Sequence, residues 1–395
     1  MRSIKDINVA GKRVMVRVDY NLPMDKDLNI TDDNRIVQTL PLIKYLIQNR
    51  AKVILISHLG RPKGKVDPAL SLKPASIRLG ELIGQRVGFV ADCIGDEVKK
   101  KVAELKEGDT LLLENLRFHS GEKTSDPDFV SQLSALCDVY VNDAFAVSHR
   151  QEASITALPL IVKESAAGFL LEKELLSYQN AMANPARPLV AVVGGAKVSS
   201  KLAALENMLK CVDTLIIGGA MANTFLKSQG VDVGASLVEA ELVETAAKIV
   251  KDAQEKGVKL QLPVDLIFAS KFDKDAQKTS IDVGNPAPEG WIALDIGEKS
   301  CQVFANLIAG AKTIVWNGPM GVFEMDRFSQ GTCSVAWAIA NASAFSVVGG
   351  GDTGVAAKVC KVDDKISYIS TGGGAFLHLM EGKELPGVVA LKARR

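Results

Sequence analysis

Val347-Val348-Gly349-Gly350-Gly351-Asp352-Thr353-Gly354 decides the reading of this chain. An apolar strand beginning at Phe345 runs into three glycines, an acidic residue and a hydroxyl residue, and Val355-Ala356-Ala357-Lys358 then continues as a helix. Glycine lets the backbone take positive φ and approach a ligand closely. The free N–H groups of a helix start attract an anion. Asp352 stands where a carboxylate would hold a hard cation, such as magnesium, bound to that anion. The stretch therefore predicts a phosphate cradle with its own metal ligand.

The same grammar recurs nearby. Leu189–Val193 ends in Gly194-Gly195-Ala196-Lys197, Thr214–Ile217 in Gly218-Gly219-Ala220, and Thr313–Trp316 in Asn317-Gly318-Pro319. Short continuous apolar runs bounded by glycine predict buried parallel strands. In open α/β sheets ligands bind outside the carboxyl ends of such strands. Several glycine-rich ends in one half of the chain thus point to one shared crevice.

The first half also alternates strand and helix, but its strand ends are polar or basic. Arg13–Val18 ends in Asp19-Tyr20-Asn21, and Lys52–Ile56 in Ser57-His58-Leu59-Gly60-Arg61. Thr110–Leu113 ends in Glu114-Asn115-Leu116-Arg117, and Val139–Val141 in Asn142-Asp143, with His149-Arg150 beyond. Thr31 or Asp32 is expected to cap a helix carrying Ile36, Leu40, Ile43 and Ile47, with Arg35 in its first turn. Each of these cations alone is an ordinary surface side chain. Together they line one sheet edge, and converging guanidinium forks suit a small polyanion.

Between the halves, Phe169 to Met182 reads as an amphipathic connecting helix with Leu171, Leu175 and Leu176 on one face, stopped by Asn184-Pro185. Gln261–Asp265 reads as a further strand, and Val388–Leu391 as an apolar tail. A length of 395 residues suits two or three domains. With 47 Lys+Arg against 46 Asp+Glu, the balance gives no reason to expect nucleic-acid or membrane-surface binding. No uncharged apolar run reaches spanning length, and the N-terminus lacks a signal-peptide core. The 6 scattered cysteines form no C-x-x-C pair, which predicts reduced thiols in a cytoplasmic protein.

A basic edge in one half and a nucleotide-like glycine edge in the other suggest group transfer between two unlike ligands. Phosphoryl transfer fits, because it mainly needs positioning, positive charge, magnesium and backbone donors. Lys197 supplies a point charge beside Gly194-Gly195, and Lys201 is expected one helical turn beyond, facing the same way. Gly349-x-Gly351-x-x-Gly354 also fits a dinucleotide fingerprint, but residues 366–380 hold no acidic residue for a ribose, which demotes an NAD-dependent dehydrogenase. No P-loop motif follows these strands. A noncatalytic nucleotide-binding protein on the same fold remains an alternative that turnover would discriminate.

These residues carry a resemblance. Arg17-Val18-Asp19-Tyr20-Asn21-Leu22-Pro23 resembles the R-x-D-x-N-x-P signature of the phosphoglycerate kinase family. Ser57–Pro62, Glu114–Phe118, Asn142–Phe145, Gly194–Val198, Trp316–Gly321 and Gly349–Thr353 match that family in order, across essentially the whole chain. The resemblance implies an α/β fold with two Rossmann-like domains, parallel sheets, a connecting helix and a cleft between the domains. It implies residues 1–168 as a phosphoglycerate-binding domain, 169–184 as connector and 185–379 as a nucleotide-binding domain, with 380–395 packing back on the first. The implied activity is the glycolytic reaction of 1,3-bisphosphoglycerate with ADP, by a cytoplasmic monomer using Mg²⁺ and closing its domains.

By the same resemblance, Asp19, Asn21, Arg35, His58, Arg61, Arg117 and Arg150 hold phosphoglycerate. Lys197, Lys201, Asn317, Pro319, Glu324, Gly350, Gly351, Asp352 and Thr353 serve the nucleotide, and Asp352 the metal. Arg35, Lys197 and Gly373 act on the group in flight. Departures are small: Tyr20 and Leu22 replace the common Phe and Val, Ala146 a usual Gly, and Glu152 a usual His or Gln. An acidic side chain at 152 is expected to weaken local anion binding.

Overall fold

The computed structural model describes residues 1–393. They form two compact units, one of Met1–Leu175 with the stretch from Glu384 on, the other Leu176–Lys383. The divide falls inside the helix Phe169–Tyr178, which runs on as a π-helical turn, Gln179–Ala183.

The first unit is built on six strands: β1 Arg13–Arg17, β2 Lys52–Ile56, β3 Val87–Val90, β4 Thr110–Leu113, β5 Val139–Asn142 and β6 Glu164–Ala167. Their order is β3-β4-β2-β1-β5-β6, and every pairing is parallel. Parallel strands need crossover connections that cover both faces, so central strands are apolar throughout. Val14, Met15 and Val16 are accordingly inaccessible. The order reverses direction at β1, between β2 and β5, so the loops after these strands flank the crevice where such sheets bind ligands.

The second unit contains β7 Leu189–Val193, β8 Thr214–Ile217, β9 Lys259–Gln261, β10 Asp265–Ala269, β11 Lys278–Asp282, β12 Ile292–Ile296, β13 Thr313–Asn317, β14 Phe345–Val348 and β15 Tyr368–Ile369. Six of them make a parallel sheet, β15-β14-β13-β7-β8-β9, with its reversal between β7 and β13. The other three form an antiparallel sheet, β11-β10-β12. Trp316, at the centre of the parallel sheet, is wholly buried and donates its Nε1–H to Gly318 O at 2.8 Å.

Several expectations are corrected. The single strand expected over Gln261–Asp265 is the end of β9 and the start of β10 in different sheets, divided at Leu262-Pro263, where proline has no N–H for a ladder. The first long helix begins at Asn34, with Asp33 at its cap position, while Asp32 accepts a local bond from Asn34 N at 2.8 Å. Its buried stripe is Ile36, Thr39, Leu42, Ile43 and Leu46, leaving Leu40 and Ile47 half-buried. In the helix from Phe169, Leu171 is buried but Leu176 is 57% exposed. The apolar tail is a helix, Pro386–Ala393, tied into the first unit by Gly387 N donating to Ser148 O at 2.9 Å.

The cysteines are not all reduced. Cys333 and Cys360, 27 residues apart, form a disulfide, while Cys93, Cys137, Cys211 and Cys301 are free. Cys333 lies on the helix Gln330–Asn341 and Cys360 caps the helix Gly351–Val359. Packing of these helices sets their Cα atoms 5.2 Å apart, a proximity that no local spacing reveals.

The glycines around Asp352 are not equivalent. A Cβ on Gly349 would lie 2.1 Å from Cδ1 of Phe376, a side chain that is itself buried, whereas one on Gly351 would meet nothing within 4 Å. Gly349→Ala is expected to lose roughly 2–3 kcal/mol of stability by overpacking. Gly351→Ala should stay within about 0.5 kcal/mol of the parent. Urea denaturation of the two variants checks the contrast.

Candidate active site

At the carboxyl edge of the first sheet, the polar residues sit on a buried foundation. Arg17 ends β1 with no solvent exposure. Its Nε donates to Ser154 Oγ at 2.9 Å, its Nη2 to His58 Nδ1 at 3.2 Å, and its Nη1 to the carbonyl of Val18. Guanidinium has no acceptor, so Nδ1 of His58 accepts and its Nε2 carries the ring proton. Burial, reinforced by Arg17, Arg117, Arg150 and Arg35, holds the His58 pKa well below its ordinary value. His58 is therefore a neutral donor.

Around it, Arg35 pairs with Asp19, and Asp19 Oδ1 accepts from Asn21 N at 3.2 Å. Asn21 in turn accepts from Gly60 N at 2.9 Å through Oδ1. Asn115 fixes the next loop, accepting from Leu59 N at 3.2 Å and donating to Leu59 O at 2.7 Å. Arg117 donates to Gly60 O at 2.8 Å and to Glu152 Oε1 at 2.7 Å. Arg150 Nη1 lies 3.6 Å from the same Glu152 oxygen. Asp19, Asn21, Arg35, His58, Arg117 and Arg150 are thus gathered into one network, while Arg61 projects to solvent on the Gly60 loop.

Two buried carboxyls underlie this cluster. Burial pushes the Glu122 pKa up to about 7, although Arg17 and Ser154 oppose the shift. Ser154 donates to it twice, from Oγ at 2.6 Å and from N at 3.0 Å. Burial also opposes ionisation of Glu152, but Arg117, Arg17 and Arg150 outweigh it and hold its pKa below the ordinary value. Ser154 lies in a π-helical turn, Ala153–Ala157. Sequence reasoning missed Glu122 and Ser154 because nothing local marks them. Arg17 carried a signal, a charge closing an otherwise apolar buried strand. Ala146 fits in a short 3₁₀ turn, Phe145–Val147, without positive φ, so the usual glycine is not needed there.

In the second unit the glycine-rich strand ends interlock through their backbones. Gly194 N donates to Asn317 O at 3.1 Å, Gly195 N to Pro319 O at 3.0 Å and Gly219 N to Met320 O at 3.1 Å. A Cβ on Gly194 would lie 2.0 Å from Pro319 O, so only glycine permits this approach. Asn317 Nδ2 donates to Gly349 O at 2.9 Å, and Thr353 Oγ1 accepts from Gly318 N at 2.7 Å. Gly350, at φ 100°, turns the chain into the helix Gly351–Val359, exposing Asp352 in its first turn. Gly373 opens the helix Gly373–Met380 beside this loop; a Cβ there would lie 3.3 Å from Gly351 N.

A cavity of 760 Å³ opens among these loops, lined by Gly195, Gly219, Pro319, Glu324, Asp352 and Leu294. Lys197 is exposed on the Gly195 loop. Lys201 is not one helical turn further: residues 199–201 form turns and the helix starts only at Leu202. Its Nζ folds back to donate to Gly194 O at 2.7 Å and Asn317 O at 2.8 Å. Burial lowers its pKa to about 8, with Asp352 opposing the shift.

Neutral and cationic donors on one parallel sheet and glycine-walled, carboxylate-bearing loops on another define an α/β phosphotransferase. A family model described as phosphoglycerate kinase matches residues 4–383. A phosphoglycerate kinase of Desulforapulum autotrophicum is 61% identical over 391 residues, covering 99% of this chain and 100% of that protein. One from Desulfosudis oleivorans is 56% identical, with 99% of each covered. The solved phosphoglycerate kinase from Coxiella burnetii superposes with a TM-score of 0.92 at 42% identity, over 99% of both chains. The structure from Pyrococcus horikoshii gives 0.87 at 35% identity, covering 100% of this chain and 99% of that one. The chain belongs to the phosphoglycerate kinase family. The dehydrogenase alternative is thereby set aside.

Lys201 clips the ends of β7 and β13 together. Lys201→Met leaves the Gly194 carbonyl without a donor and takes one of two donors from Asn317 O, and should cost roughly 1–3 kcal/mol. Chemical denaturation monitored by tryptophan fluorescence checks this, Trp316 directly preceding the acceptor residue Asn317.

Proposed function

We propose that this chain catalyses reversible phosphoryl transfer from 1,3-bisphosphoglycerate to ADP, giving 3-phosphoglycerate and ATP. The observation that supports this most is that residues of the family pattern stand at two strand edges of one chain. The Asp19–Arg35, His58 and Arg117 cluster lies on one edge, and the Gly195–Pro319–Asp352 cavity on the other.

In the ATP-forming direction, ADP attacks the acyl-phosphate. In reverse, the 3-phosphoglycerate carboxylate attacks the γ-phosphorus. That carboxylate is already ionised at pH 7, so no general base is needed. His58, neutral with its proton on Nε2, donates to the bound phosphoglycerate, while Arg61, Arg117 and Arg150 compensate its charge. Arg35 and Lys197 face the transferred group, where charge is rearranged, with the first N–H groups of the Gly373 helix as further donors. Lys201 braces the nucleotide loops and Glu324 takes the ribose, beside Asn317, Pro319 and Thr353. Asp352 suits Mg²⁺, which commonly reaches a protein through one carboxylate plus substrate phosphates. When bound, the ion neutralises phosphate charge. On this reading the enzyme is a cytoplasmic monomer.

A coupled assay with 3-phosphoglycerate, ATP and Mg²⁺ tests the proposal directly; no turnover would overturn it. Asp352→Asn should raise the Mg²⁺ concentration needed for half-maximal rate at least tenfold.

Lys197→Ala and Arg35→Ala should lower kcat by roughly 10²-fold or more, as loss of a transition-state donor does. Arg61→Ala should chiefly raise KM for 3-phosphoglycerate, because it grips substrate and transition state alike. Steady-state kinetics showing the reverse split would refute these roles.

Reacting atoms must come within roughly 3–3.5 Å with water excluded, although the two sets of groups belong to separate compact units. Closure on binding both substrates is part of the proposal. Small-angle scattering should show a smaller radius of gyration with both ligands than with either alone.

A further inference from the structure

Glu152 is the acidic side chain set against Arg117 and Arg150 on the first edge. It is 4% exposed. A single oxygen, Oε1, faces three cations: Arg117 Nη2 at 2.7 Å, Lys123 Nζ at 3.2 Å and Arg150 Nη1 at 3.6 Å. Its other oxygen, Oε2, is buried without a hydrogen-bond partner in the protein, as are Nε of Arg117 and Nε of Arg150. The charge is therefore held by Coulomb attraction to these cations. Burial places it where the surroundings screen it far less than water would.

We infer that Glu152 is a specificity-setting residue for the proposed reaction, a built-in counter-anion that lowers the affinity of this edge for phosphorylated carboxylic acids. The inference rests on the proposed substrate. Two consequences follow from one position. Without ligand, Glu152 keeps Arg117 and Arg150 from repelling each other and holds the Arg117 fork against Gly60 O. With ligand, the same negative charge opposes a second anion on the same guanidinium groups. Part of the positive potential that would hold the substrate is already neutralised, so substrate and product leave more readily. Neither Gln nor His carries a negative charge at any pH, so replacing Glu152 by either removes it. This chain thus binds more loosely than its arginine count implies.

The test is direct binding of 3-phosphoglycerate to the full chain by calorimetry, comparing the parent with Glu152→Gln. The amide carbonyl of glutamine can keep the three contacts made at Oε1, and the amide nitrogen replaces the oxygen that has no partner. A Kd about five- to tenfold lower is expected, from removal of one nearby charge at intermediate dielectric. The gap should narrow between about 50 and about 300 mM salt, as screening grows. Glu152→His at pH 8 should give the same tightening and serves if the glutamine variant folds poorly, with circular dichroism as the check. Steady-state kinetics should show a lower KM for 3-phosphoglycerate with no rise in kcat. A purely structural Glu152 would leave KM unchanged or raise it. Parent binding with equal or weaker binding by both folded variants would overturn the inference alone. No binding by any of the three proteins would overturn the proposed substrate and the inference with it.

Discussion

A guanidinium with no exposure to water, that of Arg17, is the constraint on which the first unit depends. A cation so deep in a sheet persists only if its charge and its donors are met. The chain meets them from distant places: Ser154 on a π-helical turn, His58 after β2, and the carboxyls of Glu122 and Glu152. Each partner then has a second task. His58, fixed by Arg17 at Nδ1, is left with one donor to present. Ser154 relays the same guanidinium to Glu122. Removing any one of these groups leaves a buried charge or donor unmet, so the edge behaves as a single electrostatic object.

The second unit solves a similar problem with backbone. Three strand ends must approach more closely than side chains permit, and glycine at 194 makes that approach possible. The carbonyls turned inward by this packing need donors, which Lys201 and Asn317 supply. The first N–H groups of the Gly351 helix have no partner within that helix.

Much of this was readable in the sequence, for a physical reason. Parallel strands buried on both faces appear as continuous apolar runs, and glycine is conspicuous where it ends them. The two sheets and the polar residues at their ends, Asp19, His58, Arg117 and Asp352 among them, were therefore visible. Features that depend on distant pairing were not. Ser154 has no local mark, and the meeting of Cys333 with Cys360 depends on two helices packing side by side. The antiparallel strand β11, Lys278–Asp282, holds Ile281 as its one apolar residue and so lacks the apolar signature. Lys201 was noticed but misdirected, because helical spacing was assumed where the chain makes turns.

The last helix, Pro386–Ala393, bears on how the protein is made. Gly387 packs against Ile155 and Asn142, and a Cβ there would lie 2.9 Å from Ile155 Cγ2. The turn it covers, Ala153–Ala157, is the one that carries Ser154 and follows Glu152 directly. On the ribosome, the first 175 residues emerge long before that cover exists. The second unit, whose segment is continuous, can be finished while the earlier one still waits with an apolar turn uncovered. Order of synthesis and order of completion are thus opposed: the half of the enzyme translated first is sealed only after the other half has been made, by the helix Pro386–Ala393.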